Sequence, residues 1–396
     1  MRWFWRPIPF MEDCRRRYGD SFSVTFVGFR TPMVMISDPE AIRALYTERA
    51  NGLPPGRSVA IEPIMGPRSI LLLEGAEHLA RRKLMLPPFH GERMRSYEAL
   101  MEELVDSEIE RWPLDSEFAI HPRMQAITLE VILRVVFGVS DPARLQKLRG
   151  LLGKVLSDTA APAAQLATLV TRRVPDHGPW ARFQALLREV DEPLYEEIAE
   201  RRADPDLGER DDILSALVAA RFEDGEGMSD SELRDQLMTL LLAGHETTAT
   251  ALAWAFDMLL RHPVQLDRLR QEIAGGGEDY MRATITEVLR LRPVVPLAGR
   301  RLAEELRVDG LTLPAGTDVT PAIWLTHTRP DIYPDPLAFR PERFLENPPD
   351  TYSWIPFGGG VRRCLGAAFA EFEMRIVLRE VLSRYELRAA RTKPER

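Results

Sequence analysis

From Ser229 onward the chain reads as one uninterrupted helix that ends at Arg261, where His262-Pro263 stops it. Ser229 followed three residues later by Glu232 is a capping-box signature for its start. Roughly 32 residues at a rise of about 1.5 Å extend about 48 Å, enough to cross the whole molecule. The centre of this run, Leu240 to Ala243 and Ala249 to Ala255, is apolar on nearly all faces, so the helix should be buried. Helical periodicity dominates the surrounding sequence from about Glu77 to Trp254 and beyond. It is interrupted by acidic, Gly-containing loops at Asp204 to Asp211 and Glu223 to Gly227.

The two ends have a different texture. A short helix is expected around Phe10 to Tyr18. Phe22, Val24 and Phe26 then alternate with polar residues, and a turn at Gly28 to Pro32 leads into Met33 to Ile36, which together read as a hairpin. Asp38-Pro39 opens another helix, with the aspartate as cap and the proline in the first turn. Beyond Pro293 come short strand-like pieces, Leu306 to Leu313 and Asp318 to Pro321, and a Pro-rich irregular stretch from Pro330 to Pro349. A final helix runs from roughly Leu365 to Leu382. No repeat or flexible linker divides the chain, so residues 1–396 are expected to form one domain, mainly α with a small β region.

At 396 residues the chain can bury a large core with an internal cofactor site. A formal net charge of −8 supplies no global positive field for phosphates, which argues against nucleic acid as a partner. Cys14 and Cys364 are the only cysteines, so there is no disulfide framework, and a reducing cytoplasm is the simplest compartment. No apolar stretch approaches the roughly 20 residues that span a bilayer. Neither a membrane anchor nor a signal peptide is expected. Trp3, Phe4 and Trp5 are expected to pack onto the body of the protein.

Two segments carry chemistry. Inside the apolar central helix sits Ala243-Gly244-His245-Glu246-Thr247-Thr248, where small residues let a ligand approach the backbone. A threonine hydroxyl four residues after Ala243 can compete for the Ala243 carbonyl and open the helix locally. The resulting notch could hold dioxygen, with Thr247 as donor and Glu246 at the start of a proton path. His245-Glu246 lacks the second histidine of a zinc protease, since position 249 is alanine. Just before the last helix lies Phe357-Gly358-Gly359-Gly360-Val361-Arg362-Arg363-Cys364-Leu365-Gly366. Its glycines permit close approach of a flat, bulky ligand. Cys364 at a helix start is placed where unpaired amides and the helix dipole favour thiolate. An isolated cysteine in a Gly-rich turn is more often a buried structural residue.

The cysteine segment resembles the haem-binding loop of the cytochrome P-450 family, with Phe357, Gly360, Arg362, Cys364 and Gly366 at every fixed position of that pattern. The central helix matches the same family's oxygen-binding motif of a small residue, Gly, any residue, an acid and Thr. The resemblance runs from Tyr18-Gly19-Asp20 to the final helix. It implies a P-450 fold with haem b between the central helix and the cysteine loop. Cys364 would ligate the iron, while Ala243, Gly244, Phe357, Gly358 and Gly366 lie against the cofactor. Thiolate donation in this class favours cleavage of the O–O bond of dioxygen. Arg362, His78, Arg82 and Arg300 would serve the two propionates, with Arg300 preferred to Arg301 on its spacing to Gly310. Glu287 and Arg290, three apart on a helix, would be joined by Arg343 and hold the cysteine loop in place.

The implied reaction inserts one oxygen atom into an apolar organic molecule, a terpenoid, steroid, fatty acid or polyketide-like compound. Thr239, Leu240, Ala243, Thr247, Pro296, Leu297, Ala298 and Ile61 to Met65 are candidates for its pocket. Electrons would come from a separate ferredoxin or flavodoxin with its reductase, and Arg81, Lys83 and Arg363 could form a basic patch for an acidic ferredoxin. The protein is expected to be a monomer. A peroxide-driven or rearranging haem-thiolate enzyme would not need Glu246 and Thr247, and a non-catalytic haem sensor is the reading from another class.

Overall fold

The computed structural model describes residues 6–25, 32–47, 62–160 and 178–391. The helices that matter for the site are α1 (Pro7–Tyr18), α2 (Pro39–Thr47), α3 (Gly75–Met85), α4 (Glu98–Ile109) and α5 (Ile120–Val131). They continue with α6 (Gly178–Ala203), α7 (Asp230–Arg261), α8 (Asp279–Leu291) and α9 (Ala367–Arg384). The strands are β1 (Ser21–Val24), β2 (Met33–Ile36), β3 (Arg300–Arg301), β4 (Leu306–Val308), β5 (Leu311–Leu313) and β6 (Asp318–Pro321). The fold is mainly helical with small sheets. Trp3, Phe4, Trp5, Phe26, Ile61 and most of the expected hairpin turn lie outside the described residues.

α7 is the 32-residue rod read from the sequence, and both halves of its capping box form. The Glu232 amide donates to Ser229 Oγ at 3.3 Å, and the Ser229 amide donates to Glu232 Oε2 at 2.8 Å. Leu233, Leu237, Met238, Leu241, Leu252, Phe256 and Leu259 are wholly buried, each contributing about 1.5–3 kcal/mol of transfer free energy. α5, α6, α8 and α9 pack around this core. Beyond α5 the backbone widens into a single π-helical turn, Ile132–Val136. A Cβ placed on Gly244 would come within 3.2 Å of Ile132 Cδ1, so the small residue allows this close crossing.

β1 and β2 form the expected antiparallel pair, with Ser21 opposite Ile36. The chain returns much later to lay β6 parallel to β2, and β3 closes the sheet in the order β1-β2-β6-β3. Leu306 to Leu313 is a hairpin of two short strands rather than one piece. Asp309 and Gly310 both have positive φ (51° and 71°), the conformation that a two-residue I′ turn demands. The last helix begins at Ala367 rather than near Leu365, with Leu365 and Gly366 forming the turn that leads into it. No helix among the described residues is long and apolar enough to cross a membrane.

Candidate active site

The cysteine loop is folded by its own backbone. The Gly358 amide donates to the Ile355 carbonyl at 3.0 Å, and the Cys364 amide reaches back to the Phe357 carbonyl at 2.9 Å. Gly358 and Gly360 have φ of 66° and 63°, a region that side-chain-bearing residues seldom occupy. The glycines also answer to a neighbour that the sequence pattern did not reveal. A Cβ on Gly359 would lie 2.4 Å from the ring of Tyr46 at the end of α2, and one on Gly360 would lie 2.7 Å from the Tyr46 carbonyl oxygen. Close approach here is to a buried tyrosine of the protein. Phe357 packs edge-on to Trp354, with centroids 6.0 Å apart.

Cys364 retains accessible surface although protein atoms crowd it on nearly every side. Burial pushes its thiol up, against the Gly366 amide hydrogen bond and the positive charges of Arg82 and Arg363, which lower it. The loop amide and the two guanidinium groups favour thiolate at this place, and burial opposes them. On α7, Ala243 is exposed at the middle of a helix that is buried before and after it, and Leu240, Gly244 and Thr247 are partly accessible. The Thr247 hydroxyl donates to the Ala243 carbonyl. The expected bond forms, yet the helix stays continuous through it.

His78 and Arg82 come from α3, Arg300 from β3 and Arg362 from the cysteine loop. Among the described residues none of the four makes an ion pair with a carboxylate. Arg300 spends its hydrogen bonds on the carbonyls of Ala298 and Gly299 and lies 5.5 Å over the Tyr46 ring. Arg362 donates to the Leu73 carbonyl. Their mutual effect is repulsive. Burial lowers the Arg362 value to about 10, with Arg300 and Arg82 adding to the fall and Glu74 offsetting part of it. His78 is pushed down to about 4, first by burial and then by Arg362, Arg82 and Arg300. Such a cluster is costly unless anions meet it. Arg301 is excluded from it by a two-pronged ion pair with Asp318, both contacts at 2.8 Å.

The supporting charges assemble as expected. Glu287 and Arg290 are fully buried and joined by two bonds of 2.6 and 2.7 Å, and Arg343 Nε reaches Glu287 Oε1 at 3.2 Å. His327, not identified from sequence, completes the link to the cysteine loop. Its Nδ1 lies 3.0 Å from the Arg290 carbonyl, and its Nε2 accepts from the Ile355 amide at 2.9 Å. Nε2 thus has a lone pair and Nδ1 carries the proton. Burial pushes this imidazole down to about 3.

A pH dependence of stability follows. Unfolded imidazoles titrate near about 6.5. In the folded protein His327 resists protonation, so the unfolded chain binds more protons below that value. Its contribution is present above about pH 6.5 and is lost as pH falls toward about 3. Glu373, buried and pushed up to about 8, acts oppositely, its contribution fading as pH rises through 8. Comparing urea midpoints at pH 5.0 and 7.5 in wild type and His327→Gln isolates the histidine. The variant is expected to lose less stability on acidification, and equal losses would count against a neutral buried His327.

Two sequence expectations need correction. Arg81 does not belong to a surface patch. It is buried, pairs with Glu232 at 2.6 Å and stacks 4.7 Å over Phe222, because its place on α3 points it at the start of α7. Lys83 is exposed but is bonded to Glu223 at 2.8 Å. Thr239 is withdrawn from the accessible face of α7. Its hydroxyl is buried against Ser69 Oγ at 2.7 Å and the Asp235 carbonyl at 2.6 Å. Ile64 and Met65 are likewise core residues, whereas Pro296, Leu297 and Ala298 keep accessible surface.

A family profile described as cytochrome P450 matches residues 5–396. A Mycobacterium tuberculosis protein named cytochrome P450 135B1 is 45% identical, covering 98% of this chain and 83% of its own. Cytochrome P450 137 of the same species is 42% identical over 96% of this chain and 80% of its own. Among solved structures, retinoic acid-bound cyanobacterial CYP120A1 superimposes with a TM-score of 0.79 at 27% identity, covering 94% of this chain and 86% of that one. The chain belongs to the cytochrome P450 family, and is therefore an oxidoreductase, a monooxygenase that uses haem b.

Proposed function

We propose that Cys364 would hold the haem iron through its sulfur and that His78, Arg82, Arg300 and Arg362 would meet the carboxylates of the porphyrin. The unpaired cationic cluster carries this reading. Four basic groups from three separate elements act on one another, none of them in an ion pair with a carboxylate among the described residues, and the two propionates of haem b would supply the missing charge. Such anions would raise His78 toward its charged form and relieve the repulsion on Arg362. The donor chemistry around Cys364 fits as well, since a crowded thiol disfavoured as a free anion becomes one when a metal coordinates it. Phe357, Gly358 and Gly366 of the cysteine loop and Ala243 and Gly244 of α7 would lie against the porphyrin.

When bound, the iron porphyrin supplies reductive activation of dioxygen, and a thiolate ligand favours scission of the O–O bond. One oxygen atom enters a C–H or C=C bond of the substrate, the other leaves as water, and two electrons and two protons are consumed. The chain's own contribution lies in the protons and in exclusion of water. Thr247 presents a hydroxyl on the accessible face of α7, and Glu246 next to it is the acid that resupplies the proton. Leu240, Ala243, Leu297 and Ala298 offer an apolar lining suited to a terpenoid, steroid, fatty-acid or polyketide-like molecule. The retinoic acid bound by the cyanobacterial structure is such a molecule.

We further read residues 1–396 as one cytoplasmic, monomeric domain that takes electrons from a ferredoxin or flavodoxin and its reductase. The test is oxygen consumption with a surrogate ferredoxin and reductase once a ligand from a hydrophobic library has been found by its spectral shift. Thr247→Ala is expected to go on consuming oxygen while losing most of its product per oxygen consumed, with hydrogen peroxide making up the difference. Full coupling in that variant would remove Thr247 from the proton path and revive the peroxide-driven alternative.

A further inference from the structure

Glu246 is held by a neighbouring helix in a way that the proton path does not require. Its Oε2 accepts from Gln125 Nε2 at 2.8 Å, and its Oε1 lies 3.3 Å from His121 Nε2. His121 and Gln125 are four residues apart and share one face of α5. His121 also approaches Thr250 Oγ1 at 3.4 Å, one turn beyond Glu246 on α7. Side chains of Glu246 and His121 keep 44% and 38% of their surface, so water reaches both. The Thr247 hydroxyl meanwhile bonds to its own helix at Ala243. Acid and alcohol are thus neighbours in sequence but not joined, because the carboxylate is drawn toward α5.

We infer that His121 is a pH-responsive latch on Glu246, a positioning residue that restrains the acid against α5 when its imidazole is charged and frees it to serve Thr247 when neutral. The inference rests on the reading of Glu246 and Thr247 as the proton-delivering pair. Its physical basis is the change in the 3.3 Å contact. A neutral imidazole has its hydrogen bond at Thr250 and offers the carboxylate little, while an imidazolium adds a charge that holds the carboxylate in an ion pair. Among the described residues a second titratable group at this place is His245 of α7, which is buried, donates Nε2–H to the Gln125 carbonyl at 3.1 Å and has Nδ1 3.8 Å from Glu246 Oε2. Burial lowers its basicity. Arg123, two residues from His121, is engaged by Glu108 of α4 at 3.3 Å.

The latch has a sign opposite to that of a proton relay. If His121 passed protons to Glu246, acid would speed the coupled reaction and losing the histidine would slow it. A latch makes acid slow the reaction, and His121→Gln, which stays polar but cannot charge, should relieve the slowing. A half-exposed ion pair of this kind corresponds to about a two- to fivefold effect. At pH 6 the His121→Gln holoenzyme is expected to form product about two- to fivefold faster than wild type, with the two rates converging at pH 8.5.

A readout independent of turnover accompanies this. Thermal midpoints of His121→Ala, Glu246→Ala and the double variant form a cycle whose departure from additivity should be about 1 °C at pH 6 and vanish at pH 8.5. A slower His121→Gln enzyme at pH 6, or a cycle that is additive at both pH values, overturns the latch. Should Glu246→Gln leave product per oxygen unchanged, the proton-delivery reading itself fails, a result separable from either of these.

Discussion

Cys364→Ser is expected to abolish the long-wavelength Soret band that a thiolate-bound haem develops when reduced and exposed to carbon monoxide, and with it all product formation. The sulfur at 364 is crowded by the loop, met by the Gly366 amide and flanked by Arg82 and Arg363. A serine hydroxyl fits the same space. It does not ionise at neutral pH and donates far less charge to iron, so the electronic push behind O–O scission is lost while the fold is kept. Separating the two effects requires haem content and circular dichroism on the same preparation. The expected variant binds porphyrin in substantial amount, because His78, Arg82, Arg300 and Arg362 remain, and shows a displaced Soret band with no turnover. A spectrum indistinguishable from wild type would mean that iron is ligated elsewhere and would sink the assignment.

Local patterns made much of this site readable. The start of α7 is written in Ser229 and Glu232, its end in His262-Pro263, and its depth in the apolar run between them. The cysteine loop is likewise a contiguous string. What stayed hidden depends on residues far apart in sequence. Tyr46 dictates Gly359 and Gly360 from more than 300 positions away, and nothing near it signals that duty. His327 is a lone histidine in an apolar segment, and only the fold places its two nitrogens between Arg290 and Ile355. His121 and Gln125 look like ordinary helix residues until α5 crosses α7. Arg81 failed for a subtler reason. Adjacent residues on a helix point about 100° apart, so Arg82 faces Cys364 while Arg81 turns into the core toward Glu232.

Removing the carboxylate of Glu287 is expected to destabilise the protein by about 3–5 kcal/mol, the range for stranding one partner of a buried ion pair. Glu287 Oε1 alone serves Arg290, Arg343 and the Arg340 amide, the last at 2.9 Å. Arg290, entirely enclosed, also donates to the carbonyls of His327 and Pro336 at 2.8 and 2.7 Å and lies 5.0 Å over the Tyr333 ring. Those carbonyls can hold its hydrogens but cannot neutralise its charge. Glu287→Ala therefore leaves two buried guanidinium groups facing each other, whereas Glu287→Gln keeps one acceptor and should lose less. The disturbance has a defined route to the cofactor. Arg290 presents its carbonyl to His327, and His327 holds the Ile355 amide two residues before Phe357. Loss of haem from Glu287→Ala should consequently begin at lower urea than global unfolding, read as Soret decay ahead of the far-ultraviolet signal. Coincident transitions with a destabilisation under about 1 kcal/mol would show that the cysteine loop stands without this network.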